Sequence, residues 1–351
     1  MQNRANGRTK PRVEVIIPVF RGERYLGEAV DSVLAQTYDD WHLTIVDDAS
    51  PDHSLVVARD YAARHPGRIA VVALSRNRGG NVARMEGARH SASALIAFLD
   101  HDDRWKPTFL ATQVAALDRT GCACAHGAIA VMDAHGRPVR GGAARANRAH
   151  GRFAWATATP DEVLRHVGLD TQPWIPTVVV RRDAFLDIGG FTEARIGGED
   201  WEFWLRFVRR YRLTYTPEPL VERRVHADNW TYSRVDERVD GWLQVTRQVA
   251  KDDPTLARLC RQRSLHVLRR AVRLEMQQGL VDHARRRSRQ LLAAAPLDPR
   301  HYFMALWAAR GASPLSGLLG RLYALARRAK AALAGTRGDP RLDVDGDALR
   351  D

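Results

Sequence analysis

The sequence contains little cysteine and no hydrophobic stretch long enough to span a bilayer. Cys122, Cys124 and Cys260 are the only cysteines in 351 residues, and their spacing fits neither a disulfide framework nor a structural zinc site. A reducing compartment and buried strand positions are therefore favoured over a metal half-site at Cys122 and Cys124. No apolar run approaches the roughly 20 residues of a transmembrane helix. The polar, basic segment 1–11 lacks a signal-peptide core, so we expect a cytoplasmic protein.

Acidic residues are in deficit. The chain carries 54 Lys and Arg against 41 Asp and Glu, a net charge of +13, and residues 281–337 hold eleven basic residues against two acids. Nucleic acid, anionic lipid and polyanionic substrates are all compatible partners for such a region, as is a solvated helical face. A hydrophobic content of 45% supports a folded core and argues against a disordered chain.

Residues 13–132 alternate between β-branched runs and segments of helical periodicity. Strands are predicted at 13–20, 42–46, 68–74, 94–99 and 123–132, with helices at 22–36, 54–64, 80–91 and 107–119. This β-α-β-α alternation predicts a mostly parallel sheet with helices on both faces.

The sequence pattern differs in the second half of the chain. Residues 137–160 have little periodicity and are predicted to be a mobile loop, with short strands at 177–181, 213–215 and 220–225 and helices from 183 and 199. From about 235 the pattern is all-helical, and helices are predicted at 236–251, 254–277, 280–294, 299–310 and 315–334. The expected organisation is a disordered arm 1–11, an α/β domain 12–234, a helical region 235–334 and a disordered tail 335–351.

Three acids in four positions follow the apolar run 94–99 directly: Asp100, Asp102 and Asp103. Ligands bind at the carboxyl edge of an open α/β sheet, and clustered carboxylates repel one another unless a cation or a donor-rich ligand is shared. Mg²⁺ or Mn²⁺ holding a diphosphate would meet that need. The alternative is a solvated turn that caps the helix after Pro107.

Five short motifs in order resemble those of the family-2 glycosyltransferases, which have the GT-A fold. They are Ile17-Pro18-Val19-Phe20, Val46-Asp47-Asp48-Ala49-Ser50, Asn77-Arg78-Gly79 with Ala83-Arg84, Asp100-His101-Asp102-Asp103, and Gly198-Glu199-Asp200-Trp201. The resemblance covers residues 13 to about 230. It implies a Rossmann-like, mostly parallel twisted sheet flanked by helices, followed here by the all-helical C-terminal region.

The resemblance also implies a nucleotide-sugar site. Its residues would be Pro18, Val19, Phe20, Asp47, Asp48, Asn77, Arg84, Asp100 and His101. In this interpretation Asp47 and Asp48 accept hydrogen bonds from the base and ribose, and Arg84 reaches the diphosphate. Asp102 is the principal metal ligand, and His226 completes the metal site. Ala49 stands where the family often has glycine, a position at which a positive φ would be unfavourable for alanine.

The catalytic assignment follows from the same resemblance. Asp200 is the implied general base that takes the proton of the acceptor hydroxyl, and Glu199 orients it or the acceptor. Trp174, Thr177 and Trp201 are acceptor-side candidates. A single base suits one in-line displacement, which inverts the anomeric carbon.

The predicted function is metal-dependent transfer of a sugar from a nucleotide-sugar, with UDP-sugars favoured, to a saccharide or lipid-linked acceptor in cell-surface polysaccharide or glycolipid synthesis. Residues 315–334 form a basic amphipathic pattern that is compatible with an anionic membrane surface at the inner face of the cell membrane; nucleic acid is not the expected partner. Two alternatives stay open: a nucleotidyltransferase acting on sugar phosphates, and a non-catalytic protein that binds nucleic acid or another polyanion.

Overall fold

The fold was analysed in a computed structural model, which describes residues 12–170, 172–193, 197–227 and 235–310. The described chain divides into two compact units. The first comprises residues within 12–140, 146–193 and 203–224, and the second comprises residues within 141–145, 197–202 and 225–310.

A single eight-stranded sheet forms the centre of the first unit. Its strands are β1 (Val13–Val19), β2 (Trp41–Asp47), β3 (Ile69–Ala73), β4 (Leu95–Phe98), β5 (Arg104–Trp105), β6 (Cys124–Met132), β7 (Val179–Arg181) and β8 (Leu213–Arg224). The strand order is β3-β2-β1-β4-β7-β6-β8-β5. Strands β3, β2, β1 and β4 are mutually parallel, whereas β7 is antiparallel to both of its neighbours. The predicted GT-A-like α/β fold is therefore confirmed, and the carboxyl ends of β1, β2 and β4 share one edge.

The described residues form eight α-helices between these strands. They are α1 (Leu26–Leu34), α2 (Ser54–Arg64), α3 (Gly80–His90), α4 (Phe109–Thr120), α5 (Ala144–Arg152), α6 (Pro160–Arg165), α7 (Arg182–Asp187) and α8 (Glu199–Val208). The sheet core is mostly apolar, and every residue of β1 is buried. Apolar side chains from α3, α7 and α8 pack on the same cluster as β1 and β4, which removes their surface from water. Cys122, Cys124 and Cys260 are free and buried; burial was predicted for Cys122 and Cys124, of which only Cys124 lies in a strand.

Two predictions about the second half were wrong. Residues 137–160 are not one irregular loop, because helix α5 and the first residue of α6 lie within them. Helix α5 has no stripe of large apolar residues, because most of its residues are Ala, Arg and His. Its sequence pattern therefore did not predict a helix. Residues 213–225 do not form two strands either. Strand β8 runs through both, and two shifts in its register with β6 accommodate the segment that contains Pro217 and Pro219; such irregularities tolerate proline.

The second unit contains four further helices, which match the predicted pattern closely. They are α9 (Val235–Asp252), α10 (Ala257–Gln277), α11 (Val281–Ala294) and α12 (Pro299–Arg310). Consecutive helices pack around a small apolar core that includes Val272, Leu291 and Met304. No helix among the described residues is both long and apolar enough to cross a membrane. The predictions for 1–11, 315–334 and 335–351 concern residues outside those described.

Candidate active site

The acidic turn after β4 brings three carboxylates together. One oxygen from each of Asp100, Asp102 and Asp103 lies within 4.8 Å of the others. The turn is closed by the Asp103 N–H, which donates to the Asp100 carbonyl at 3.1 Å. Asp100 and Asp102 are half-buried, whereas Asp103 is 4% exposed. The structure thus brings together the three acids of the predicted cluster.

The electrostatics of this turn fit a hard divalent cation. Burial raises the pKa of Asp103 well above its usual value, and the nearby charges of Asp102 and Asp100 raise it further. Three carboxyl groups in one turn therefore repel one another, and a shared cation relieves that repulsion. Oxygen-only ligands suit Mg²⁺ or Mn²⁺. Among the described residues, this is the one cluster of at least three acidic, His or Cys side chains with such spacing.

Arg84 supplies positive charge beside the acids. It extends from α3, and its guanidinium binds the Asp100 carboxylate and donates to Asn81 Oδ1 at 2.9 Å. Its side chain is only 12% exposed, which strengthens the ion pair relative to a surface pair. Met85, where the family often has asparagine, is buried in the apolar core and accepts the Phe191 N–H through its sulfur.

Asp47 and Asp48 at the end of β2 have different partners. The Asp48 carboxylate accepts the backbone N–H groups of Arg78 and Gly79, both at 2.6 Å, so it fixes the loop that precedes α3. Asp47 Oδ2 accepts the Ser50 N–H at 3.2 Å. Asp47 Oδ1 is buried and has no hydrogen-bond partner among the described residues. An unsatisfied buried carboxylate oxygen is costly, and a ligand donor such as a base N–H would satisfy it.

The remaining nucleotide-sugar candidates lie around these strand ends. Pro18 and Val19 are buried in β1, and Phe20 just beyond it is 36% exposed. His101 is half-buried against Gly22; a Cβ on Gly22 would lie 2.6 Å from the His101 ring, so only glycine allows this approach. Asn77 is half-buried in the loop before α3.

The acceptor-side candidates in the first unit separate into two roles. Trp174 is half-buried, and the Arg223 guanidinium stacks over its ring at 4.1 Å. Thr177 is completely buried, and its hydroxyl donates to the Trp174 carbonyl at 2.7 Å. The Thr177 side chain thus supports the turn that carries Trp174, and its contact with an acceptor stays a prediction.

Glu199, Asp200 and Trp201 open helix α8 and belong to the second unit. Glu199 Oε1 accepts the Gly197 N–H at 2.7 Å, and Asp200 is half-buried in the first helical turn. Gly198 has φ +91°, and a Cβ there would lie 2.9 Å from the Trp242 ring. Trp201 is fully buried with its ring 5.8 Å from that of Trp242, and its role on the acceptor side stays a prediction.

His226 is half-buried in the second unit. Its role as a metal ligand stays a prediction, as does the role of Asp200 as the general base.

Sequence reasoning missed one residue at the acidic turn. Asp103 was counted in the acidic cluster, although no separate role was predicted for it. Arg224 gave no local signal, because it lies 121 positions from the Asp103 carboxylate that its N–H reaches at 2.9 Å. Only the pairing of β5 with β8 brings these segments together.

A mostly parallel sheet with acids, a partly buried arginine and a backbone-capped loop at its carboxyl edge is the arrangement expected of a GT-A domain. Residues 14–165 match the model of glycosyl transferase family 2. This part of the chain is a family-2 glycosyltransferase domain, and that assignment favours the predicted glycosyltransferase over both alternatives.

Relatives agree with the assignment. TuaG of Bacillus subtilis, a glycosyltransferase assigned to teichuronic acid biosynthesis, is 35% identical over 130 residues, which are 37% of this chain and 51% of TuaG. The chain therefore aligns with about half the length of that relative. An uncharacterized glycosyltransferase of Rickettsia prowazekii is 25% identical over 256 residues, 69% of this chain and 74% of that protein.

Solved structures extend the similarity over most of the fold. Staphylococcus aureus TarS 1–349 in complex with UDP-GlcNAc has a TM-score of 0.58 at 15% identity, covering 92% of each chain. The mannosyltransferase PcManGT of Pyrobaculum calidifontis, in complex with GDP-Man and Mn²⁺, has a TM-score of 0.55 at 18% identity, covering 94% of this chain and 89% of that one. At these identities the likeness establishes the fold.

Proposed function

We propose that this chain transfers a sugar from a nucleoside diphosphate sugar to a hydroxyl acceptor, with inversion at the anomeric carbon and with a divalent metal. The observation that carries the proposal is the three-carboxylate turn, with Arg84 bound to Asp100, at the carboxyl edge of a family-2 domain. The nucleotide-sugars and Mn²⁺ in the structural neighbours support the same chemistry.

The donor is held by the first unit. The unpartnered Asp47 Oδ1 accepts a base N–H, and Asp100 accepts a ribose hydroxyl or contributes to the metal site. Arg84 adds a charge-assisted hydrogen bond to the diphosphate. Asp102 and Asp100 would hold Mg²⁺ or Mn²⁺, with His226 as a further ligand, and the ion when bound neutralises charge on the departing diphosphate.

The transfer itself is one displacement. The acceptor oxygen bonds to the anomeric carbon as the bond from that carbon to the β-phosphate oxygen breaks, and the nucleoside diphosphate leaves. Asp200 takes the acceptor proton, and Glu199, which is tied to the Gly197 N–H, holds the start of α8. A general base of this kind contributes roughly 10²–10⁴-fold to the rate.

The acceptor is proposed to be a saccharide or lipid-linked intermediate of a cell-surface polysaccharide, used on the cytoplasmic side where nucleotide-sugars are made. The similarity to a protein assigned to teichuronic acid biosynthesis supports this class. Trp174 is the acceptor-side candidate that remains accessible.

A nucleotide screen tests donor binding. UDP-, GDP- and dTDP-sugars are added to the protein with and without Mn²⁺, and the melting temperature is measured. One donor class should stabilise the protein, because a ligand that binds only the folded state raises its stability. In Asp102→Asn the part of the rise in melting temperature that depends on Mn²⁺ should be lost. Asp118→Asn, on the exposed end of α4, should retain it. Absence of stabilisation by any donor would contradict the proposal.

Asp200→Asn tests the chemistry. It should keep donor and metal affinity but lower kcat by at least about 100-fold, whereas Glu202→Gln in the same helical turn should keep kcat. The anomeric configuration of the product, read by NMR, decides inversion. Retained transfer by Asp200→Asn would remove this residue from the mechanism.

A further inference from the structure

Arg224 ties the acidic turn to the rest of the first unit. We propose that its guanidinium is a positioning group that holds the Asp102–Asp103 segment in its metal-binding conformation. This inference rests on the metal use proposed above, and it assigns a role to a residue that does not itself bind the metal.

Two contacts join Arg224 to the turn. Its side-chain Nε donates to the Asp102 carbonyl at 2.9 Å, and its backbone N–H donates to Asp103 Oδ1 at 2.9 Å. The first contact fixes the main chain of the predicted principal ligand. The second fixes the buried carboxylate of the next residue. Only the first depends on the side chain, so a substitution isolates the guanidinium contribution.

The other end of the guanidinium is anchored away from the turn. Nη2 donates to Glu28 Oε2 of α1 at 2.6 Å, and the group stacks over the Tyr25 ring at 4.4 Å. Its planar fork of donors can hold these directions together, whereas a lysine ammonium cannot reproduce the planar geometry. Arg224 therefore links the turn to α1, which packs on the sheet.

Burial makes this link stiff. The Arg224 side chain is 1% exposed, and a buried arginine is tolerated only when its charge and donors are matched. Groups that orient metal ligands from outside the coordination sphere typically change metal affinity about 10–100-fold when they are removed.

Arg104 provides a matched control. It binds the same Glu28 at 3.1 Å and also Glu222 at 3.0 Å, and it lies on β5, which pairs with β8. Its guanidinium donates to Glu222, Glu28 and the Gly136 carbonyl, which all lie outside the acidic turn. Arg104→Met therefore removes ion pairs of the same neighbourhood and leaves the turn intact.

Two measurements test the proposal on purified full-length protein. The first is the Mn²⁺ dissociation constant without nucleotide, from the electron paramagnetic resonance signal of free Mn²⁺. Arg224→Met should raise it about tenfold or more, Arg224→Lys less, and Arg104→Met less than twofold. The second is amide exchange of the peptide spanning 99–104 in metal-free protein, which should be about tenfold faster in Arg224→Met, faster by a smaller factor in Arg224→Lys, and unchanged in Arg104→Met.

The outcomes separate this inference from the proposed function. If wild type binds Mn²⁺ and Arg224→Met leaves both its dissociation constant and the exchange of 99–104 unchanged, the positioning role is wrong while the proposed function stands. If wild type binds neither Mn²⁺ nor any nucleotide-sugar, the proposed function fails first. If Arg224→Met does not fold, the same two measurements are made on Arg224→Lys. A wild-type Mn²⁺ dissociation constant and a wild-type exchange rate of 99–104 in that variant would overturn the positioning role of Arg224.

Discussion

The guanidinium of Arg84 binds the carboxylate of Asp100, so a cation from α3 and an acid from the end of β4 form one partly buried pair. The pair places a positive donor next to the acidic turn before any ligand arrives. Such preorganisation lowers the cost of ordering side chains on binding.

Arg84→Gln should weaken binding of the nucleoside diphosphate about tenfold or more, because a charge-assisted hydrogen bond to phosphate contributes roughly 1.5–3 kcal/mol. Titration calorimetry with UDP and GDP in the presence of Mn²⁺ measures this. Arg89→Gln on the same helix removes an exposed arginine that pairs with Glu86 and should leave affinity unchanged. Equal affinities in wild type and Arg84→Gln would exclude Arg84 from the diphosphate site.

Ala49→Gly should stabilise the protein. Ala49 has φ +56°, a left-handed conformation that costs a residue with a Cβ roughly 1–2 kcal/mol; glycine's larger unfolded-state entropy offsets part of the gain. We expect the free energy of unfolding in urea to rise by about 0.5–1 kcal/mol. Ala63→Gly, at an exposed position in α2, should instead lower it by about 1 kcal/mol. A loss of stability in Ala49→Gly would be the contradicting result.

Asp48→Ala should destabilise the first unit by about 2–4 kcal/mol, because the N–H groups of Arg78 and Gly79 each lose a charged acceptor. The loop before α3 should exchange its amides faster. Asp39→Ala removes a carboxylate that is 90% exposed and should change the free energy of unfolding by less than about 0.5 kcal/mol. Matching values for the two variants in urea unfolding would show that the Asp48 contacts are not stabilising.

Stability should fall as pH is lowered below about 6.5, the ordinary pKa of histidine. Burial lowers the pKa of His126 well below that value, helped by His150 and His166, and lowers the pKa of His150 to about 3. The unfolded chain therefore binds protons that the folded chain does not, and each such histidine contributes a slope of up to about 1.4 kcal/mol per pH unit.

His126→Phe should reduce the pH slope of the free energy of unfolding by the contribution of one histidine. The phenyl ring should keep the packing, since the His126 ring lies 4.6 Å from that of Trp155 and 5.2 Å from that of Tyr215. Urea unfolding at pH 7, 6 and 5 measures it. His135→Gln, at an exposed position, should retain the wild-type slope. An unchanged slope in His126→Phe would mean that this imidazole is not the source.

The sequence predicted most elements of the first 132 residues and all four helices α9–α12, because their apolar periodicity is regular and their ends carry Gly and Pro. The predictions were wrong where tertiary packing overrides the local sequence pattern. Helix α5 has almost no apolar stripe, and the proline-containing stretch of β8 joins the sheet only because β6 lies beside it. The two-residue strand β5 has no sequence signature of its own.

The candidate site shows the same division. The predicted strand end located the acids of 100–103, and the motif resemblance added Asp47, Asp48 and Arg84 to the same site. The sequence could not show that Thr177 and Trp201 are completely buried, because burial depends on neighbours far away in the chain.

The amino-acid sequence by itself thus determined the family, the fold class and the acidic turn. Each of these follows from short motifs or from apolar periodicity, which can be read from a segment without knowing its tertiary contacts. The tertiary structure decided which side chains contact that turn. Arg224 reaches the Asp102 carbonyl and Glu28 across separations of 122 and 196 positions, and such contacts exist only once the strands have paired, because no local pattern encodes a partner so distant.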